Sequence, residues 1–166
     1  MSNPKTLFML IGPKGSGKTH IGTLVNQHTE IVFLRVEPIW LGLKPNENGW
    51  DQVQAAIDAL FQKHAKVMIE SLGIGEGFSK FRASLAERYA IKMIRVYADA
   101  ETCFTRVKTR NNAEHIAVSD DRVAELNTLA SAVTYQWDLE INNNDLASDA
   151  DILEQIRSLN KSEQEK

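Results

Sequence analysis

Chemistry is concentrated in one run of the chain, Gly12-Pro13-Lys14-Gly15-Ser16-Gly17-Lys18-Thr19. Glycines at 12, 15 and 17 allow tight backbone turns and bring successive N–H groups close to an anion, with no side chain in the way. Lys18 can reach the outer phosphates of a bound triphosphate, and the Thr19 hydroxyl is an oxygen ligand suited to Mg²⁺. The run satisfies G-x-x-x-x-G-K-[ST], with apolar residues 7–11 before it and a helix-like stretch, 20–28, after it. A helix starting near Gly17 would add its positive dipole end and unpaired N–H groups. With every fixed position and both flanks matched, an ordinary glycine-rich turn is set aside, and the run is read as a phosphate-binding loop of the Walker A kind.

A strand and a helix must hold that loop, and the rest of the chain repeats the same alternation. Short apolar runs at 6–11, 30–36, 66–70, 92–98 and 138–141 alternate with helical patterns, which predicts an α/β fold, a parallel sheet with helices on both faces. Ile21, Leu24 and Val25 share the inner face of the helix after the loop; Val53, Ala56, Ile57, Leu60 and Phe61 do so within 50–64. Ser79 is read as the N-cap of a helix with Phe81, Leu85 and Tyr89 on one side, and Asp99 as the cap of one through Cys103, Phe104 and Val107. Ser119 opens a helix lined by Val123, Leu126, Ala130 and Val133, and Ser148 opens the last, burying Ile152, Leu153, Ile156 and Leu159. Between these, Pro38 is expected to end the second strand and begin an apolar loop over 38–49, either an acceptor-binding flap or a plug at the core edge. The glycine-rich 72–78 segment is expected to be mobile. Its Gly73-x-Gly75-x-Gly77 spacing lacks the G-x-G-x-x-G interval of a dinucleotide fingerprint.

The third apolar run delivers Glu70 and Ser71 to a carboxyl strand end, where such sheets place ligand chemistry. Arg106 and Arg110 lie one helical turn apart, a spacing that suits either phosphate contact or a solvated face. His115, Arg82 and Arg122 are read as solvated surface residues. A length of 166 residues suits one domain, expected over 1–160, with a frayed polar tail at 161–166. Lys and Arg total 19 against 22 Asp and Glu, a net charge of -3, which provides no general field for a long polyanion. The single Cys103 excludes a disulfide framework and a Cys/His metal cluster. Neither a signal pattern nor a membrane-length apolar run is present, so a cytoplasmic protein with no membrane partner is expected; the sequence does not specify an oligomeric state. A GTPase is set aside, because no N-K-x-D occurs and Glu70-Ser71-Leu72-Gly73 only imperfectly echoes D-x-x-G.

On the loop at 12–19, the stretch 99–111 and the run Ile116-Ala117-Val118-Ser119-Asp120-Asp121-Arg122-Val123, the sequence resembles the small P-loop kinases. Within them it is most similar to the AAA-type, single-domain ATP-binding group that includes relatives of polynucleotide kinase, gluconate kinase and shikimate kinase. The resemblance implies a three-layer P-loop NTPase fold, a five-stranded sheet in the order 2-3-1-4-5, and a short lid at about 108–120. It also implies ATP as donor with Mg²⁺. Carried over by position, Arg110 resembles the lid arginine that lies against the ATP base or phosphates, while Arg106 is a candidate cofactor contact on its spacing alone. Glu37 occupies the place of an acidic residue that orients or deprotonates the acceptor hydroxyl, and Glu70 that of one holding the magnesium shell. Asn111, Asn112, Glu114 and His115 stand where related lids carry a second arginine, and the second strand ends Arg35-Val36-Glu37-Pro38 where an Asp with a nearby Arg is common. The expected activity is ATP-dependent phosphoryl transfer to a hydroxyl of a small molecule, nucleoside or nucleotide. A nucleotide-binding module or slow ATPase acting through a partner is the alternative, and a kinase for nucleic-acid 5′ ends is a second, less favoured one.

Overall fold

Every residue of Thr6–Ile11 (β1) is buried, as a central parallel strand covered on both faces requires. The computed structural model describes residues 4–109, 118–145 and 148–161. Following β1 come Lys18–His28 (α1), Val32–Leu34 (β2), Glu37–Leu41 (α2), Gly49–Phe61 (α3), Lys66–Ser71 (β3), Gly75–Ala86 (α4) and Ala90–Tyr97 (β4). The chain then continues through Ala100–Thr109 (α5), Asp120–Ala132 (α6), Leu139–Asn142 (β5) and Asp149–Lys161 (α7). All strand pairs are parallel, in one five-stranded sheet ordered β2-β3-β1-β4-β5.

Successive side chains of β1 point to opposite faces. Leu7, Met9 and Ile11 therefore enter one core, with Val53, Ile57 and Phe61 of α3 and Phe78, Phe81 and Leu85 of α4. Phe8 and Leu10 enter the other, with Ile21, Leu24 and Val25 of α1 and Ile152, Leu153 and Ile156 of α7. Because the chain passes from β1 to β2 on one side and later from β3 to β4 across β1, the order reverses beside β1 and opens a crevice there. In register, Leu10 lies beside Glu70 and Ile11 beside Ser71, so the β1 and β3 carboxyl ends emerge together at that crevice.

Several local expectations are corrected. Pro38 does not open a loop: it sits at the start of α2, where its fixed φ and missing N–H cost nothing. Consequently β2 is three residues long and not the seven of 30–36. Ser79 is not an N-cap, since α4 begins at Gly75 with Ile74 as cap, and the Ser79 hydroxyl donates to the Gly75 carbonyl (3.2 Å). Four of the seven residues 72–78 are thus helical. Ser119 does cap α6, accepting from Arg122 N–H at 3.2 Å, and Ser148 accepts from Asp151 N–H at the start of α7. Cys103 is buried, and burial pushes its thiol pKa up. The lid expected at 108–120 is described only at its edges, which Lys108 and Asp120 join at 3.1 Å. Arg110 and 111–117, including His115, lie outside the described residues, as does the expected tail from 162 onward. Among the described residues, no helix is long and apolar enough to cross a membrane.

Candidate phosphate and acceptor site

The run 12–17 leaves β1 and turns into α1 over a short distance, and its glycines make this possible. Gly15 and Gly17 have φ of 85° and 102°, in the left-handed region. At Gly15 an added Cβ would also lie 2.2 Å from the Cys103 carbonyl oxygen, so alanine is excluded by space as well as by conformation. Gly12 N–H donates to the Ser71 carbonyl (3.2 Å), which ties the loop's entry to β3.

Lys18, the first residue of α1, turns back over the loop and donates to the carbonyls of Gly12 (2.6 Å) and Pro13 (2.9 Å). Burial lowers its pKa from 10.5 to about 8, partly offset by the negative charge of Glu70 and, more weakly, of Glu37. Thr19 donates its hydroxyl to Glu70 Oε2 at 2.9 Å. Glu70 is 4% exposed, and its other oxygen, Oε1, is buried without a hydrogen-bond partner. Such an orphaned oxygen beside a threonine hydroxyl is the donor chemistry a hard divalent cation takes, so these residues fit Mg²⁺. Ser16 Oγ in the same loop is likewise buried and unpartnered.

Three side chains from distant segments brace the loop. Asn127 of α6 accepts from Lys14 N–H (2.8 Å) and donates to the Lys14 carbonyl (3.0 Å). Asn143, just past β5, donates to the Ser16 carbonyl at 2.8 Å. Arg106 of α5 donates to the carbonyls of Gly15 (3.2 Å), Asn143 (2.7 Å) and Asn144 (3.3 Å). Arg106 is therefore part of the loop's support and not a solvated surface charge. The two asparagines were not anticipated: Asn143 reads as a turn residue, and Asn127 takes a buried place on the α6 face assigned to Leu126 and Val133. A polar residue inside an otherwise apolar helix face was the available signal for Asn127.

A cavity of about 460 Å³ opens in front of the loop. Lys14, Gly15, Gly17, Lys18, Thr19, His20 and Arg106 line one half, and the other is formed by Val36, Glu37, Trp40, Trp50, Val53 and residues 69–74. Glu37, Glu70, Lys18 and Thr19 thus share one space, while Pro13 and Ser16 lie in the loop's wall behind it. Trp40 of α2 meets Trp50 of α3 edge-on, with ring centroids 5.2 Å apart, and Trp50 packs in turn on Phe81 at 4.8 Å. The apolar 38–49 segment therefore both plugs the core edge and walls the cavity. Among the described residues no cluster of three or more His, Cys, Asp or Glu could hold a metal on its own. That is compatible with an ion that takes one or two protein oxygens and completes its shell with phosphate and water.

No protein-family model matches the chain, and no curated protein matches it. Among solved structures it is similar to a sugar kinase from Janibacter sp. HTCC2649, with TM-score 0.62, 15% identity and 95% of each chain covered. It is also similar to shikimate kinase from Acinetobacter baumannii in complex with shikimate, with TM-score 0.59, 18% identity, 99% of this chain and 97% of that one. The Mycobacterium tuberculosis APS kinase in complex with AMPPNP and APS aligns with TM-score 0.66 at 13% identity, over 96% of this chain and 99% of that one. Over nearly its whole length, the chain has the fold of the small P-loop kinases.

Proposed function

We propose that the protein is an ATP-dependent kinase that moves the γ-phosphoryl group to a hydroxyl of a small molecule. The observation that carries this reading is one shared cavity, in which Lys18 and Thr19 face Glu70 and a second half built from Val36, α2, α3, β3 and residues 72–74. A donor site and an acceptor space in one enclosure are what in-line transfer needs, since this reaction depends on positioning and charge stabilisation. The neighbours named as kinases of a sugar, shikimate and APS support the same reaction class.

In this reading the loop N–H groups of 12–17 and the start of α1 hold the donor phosphates. Lys18 exchanges its loop carbonyls for the outer phosphates and stabilises charge as it builds on the transferring group. Thr19 and Glu70 would hold Mg²⁺, which would supply charge neutralisation for the donor phosphates. Glu37 accepts the acceptor's hydroxyl hydrogen bond and orients its oxygen towards the γ-phosphorus. The new bond joins the acceptor oxygen to phosphorus as the bond from phosphorus to the β–γ bridging oxygen breaks. The acceptor's proton passes to Glu37 and then to solvent, and ADP leaves. Arg110 would pair with the donor phosphates and limit their hydrolysis.

The donor half of the reading is tested by following cavity tryptophan fluorescence as ATP and Mg²⁺ are added to the protein and to Lys18→Ala. Loss of the charged contacts should weaken binding by roughly 10- to 100-fold. Equal affinity in both proteins would remove the basis for the proposal.

A further inference from the structure

Leu72, Gly73 and Ile74, which join β3 to α4, form part of the cavity's facing half. The start of this strap is fixed: Gly73 N–H donates to the Ser71 hydroxyl at 3.0 Å, and the Ser71 carbonyl accepts from Gly12 of the phosphate loop. At its other end the local restraints are weak. Ile74 caps α4 without a side-chain hydrogen bond, and Gly75 follows at φ 87°, with open space where a Cβ would stand. Gly73 is also left-handed, at φ 74°. Two such glycines on either side of one residue leave the backbone more conformations than any other residue type would, so the strap needs a restraint from elsewhere in the fold.

Tyr135 supplies that restraint. Its hydroxyl donates to the Gly73 carbonyl at 3.0 Å, across 62 positions of chain. The ring is held in turn: it meets Phe78 of α4 and Trp137 edge-on, with centroids 5.8 and 5.7 Å apart, and the Arg82 guanidinium stands over it at 5.5 Å. The connection that carries Tyr135, from α6 to β5, is anchored on β4, where Asp138 N–H donates to the Met93 carbonyl (2.9 Å) and its carboxylate accepts from Met93 N–H (2.8 Å). Tyr135 is not one of the residues that line the cavity, and its contact with the site runs through Gly73. The phosphate loop is braced by Asn127, Asn143 and Arg106 instead, so the two halves have separate supports. We propose that Tyr135 is a positioning residue: by holding Gly73 it fixes the 72–74 strap as a wall of the acceptor half and so sets the alignment of the acceptor, without a part in donor binding. This rests on the kinase reading above and adds a residue to its acceptor half. Phosphoryl transfer depends on alignment of the attacking oxygen, so displacement of one wall is felt in turnover.

Tyr135→Phe removes the hydroxyl and keeps the ring. Hydrogen exchange of the whole protein, read by mass spectrometry, should quicken roughly two- to tenfold in peptides covering 72–75, the range of one lost hydrogen bond, with β1 and β4 unchanged. Initial rates are then measured with ATP, Mg²⁺ and the most rapidly phosphorylated member of a panel of uncharged and anionic alcohols, glucose, gluconate, shikimate and uridine among them. The variant's kcat/KM for that alcohol should fall by roughly the same two- to tenfold while its ATP KM stays within about twofold. Gly75→Ala, which strains the other end of the strap and leaves Tyr135 in place, should reproduce both effects. Exchange that is unchanged at 72–75, or that rises evenly through β1 and β4, overturns the inference and leaves the kinase reading intact. So does a selectively loosened strap with an unaltered kcat/KM for the alcohol. ATP consumed to free phosphate with no alcohol phosphorylated overturns the kinase reading, and the acceptor role of Tyr135 with it.

Discussion

Lys18 carries the clearest electrostatic signature in the chain, because its ammonium is buried against two carbonyls and its pKa falls to about 8 from 10.5. A bound triphosphate surrounds the same group with negative charge and raises that value, so the complex holds a proton that the free protein releases from about pH 8 upward. Binding must therefore weaken as pH rises through that window, approaching about tenfold per pH unit above the free value. ATP titrations between pH 7 and 10 check this, with a flat profile as the contrary outcome. Glu70 raises the Lys18 value, so Glu70→Gln should move the onset of the decline to lower pH. The same change removes one carboxylate oxygen offered to the cation, so the Mg²⁺ needed for ATP binding should increase roughly tenfold. A drop in melting temperature with unchanged Mg²⁺ dependence would assign Glu70 a purely structural role.

At the scale of elements, the phosphate loop is held open by α5, α6 and the end of β5 as much as by its own glycines. Asn127 satisfies both backbone groups of Lys14, so Asn127→Ala removes two hydrogen bonds and should destabilise the fold by about 1–3 kcal/mol, with a several-fold loss of ATP affinity. Denaturant unfolding and ATP titration of the same variant measure both effects; an unchanged affinity would show that α6 does not shape the loop. Contacts of this kind were hidden in the sequence because Asn127 meets a residue 113 positions away and Asn143 one 127 positions away. The strands were legible because buried parallel strands appear as continuous apolar runs. α2 was not, since a five-residue helix has no periodicity to read and Pro38 suits a strand end and a first helical turn equally. α4 was placed too late because glycine disfavours helices, yet Gly77 lies in it where a Cβ would come 2.6 Å from the Trp50 indole nitrogen, so tertiary packing overrides local preference.

At the scale of the whole molecule, the sheet order β2-β3-β1-β4-β5 brings the phosphate loop after β1, Glu70 at the end of β3 and Glu37 after β2 to one edge. The loop and its flanks were readable from residue type and spacing alone, whereas the facing half was not. Trp40 and Trp50 acquire meaning only when α2 and α3 fold against each other. The resemblance to small P-loop kinases anticipated the strand order, and the sheet has that order. What the reaction does with the γ-phosphoryl group is the central claim, and its fate can be read directly. ³¹P spectra of ATP, Mg²⁺ and a panel of uncharged and anionic alcohols, recorded with the protein and with Lys18→Ala, follow every phosphorus atom. A phosphate-ester resonance should grow as the γ signal is lost, in step with ADP, and be absent with Lys18→Ala. A γ signal converted wholly to inorganic phosphate, with no ester at any acceptor, would contradict it.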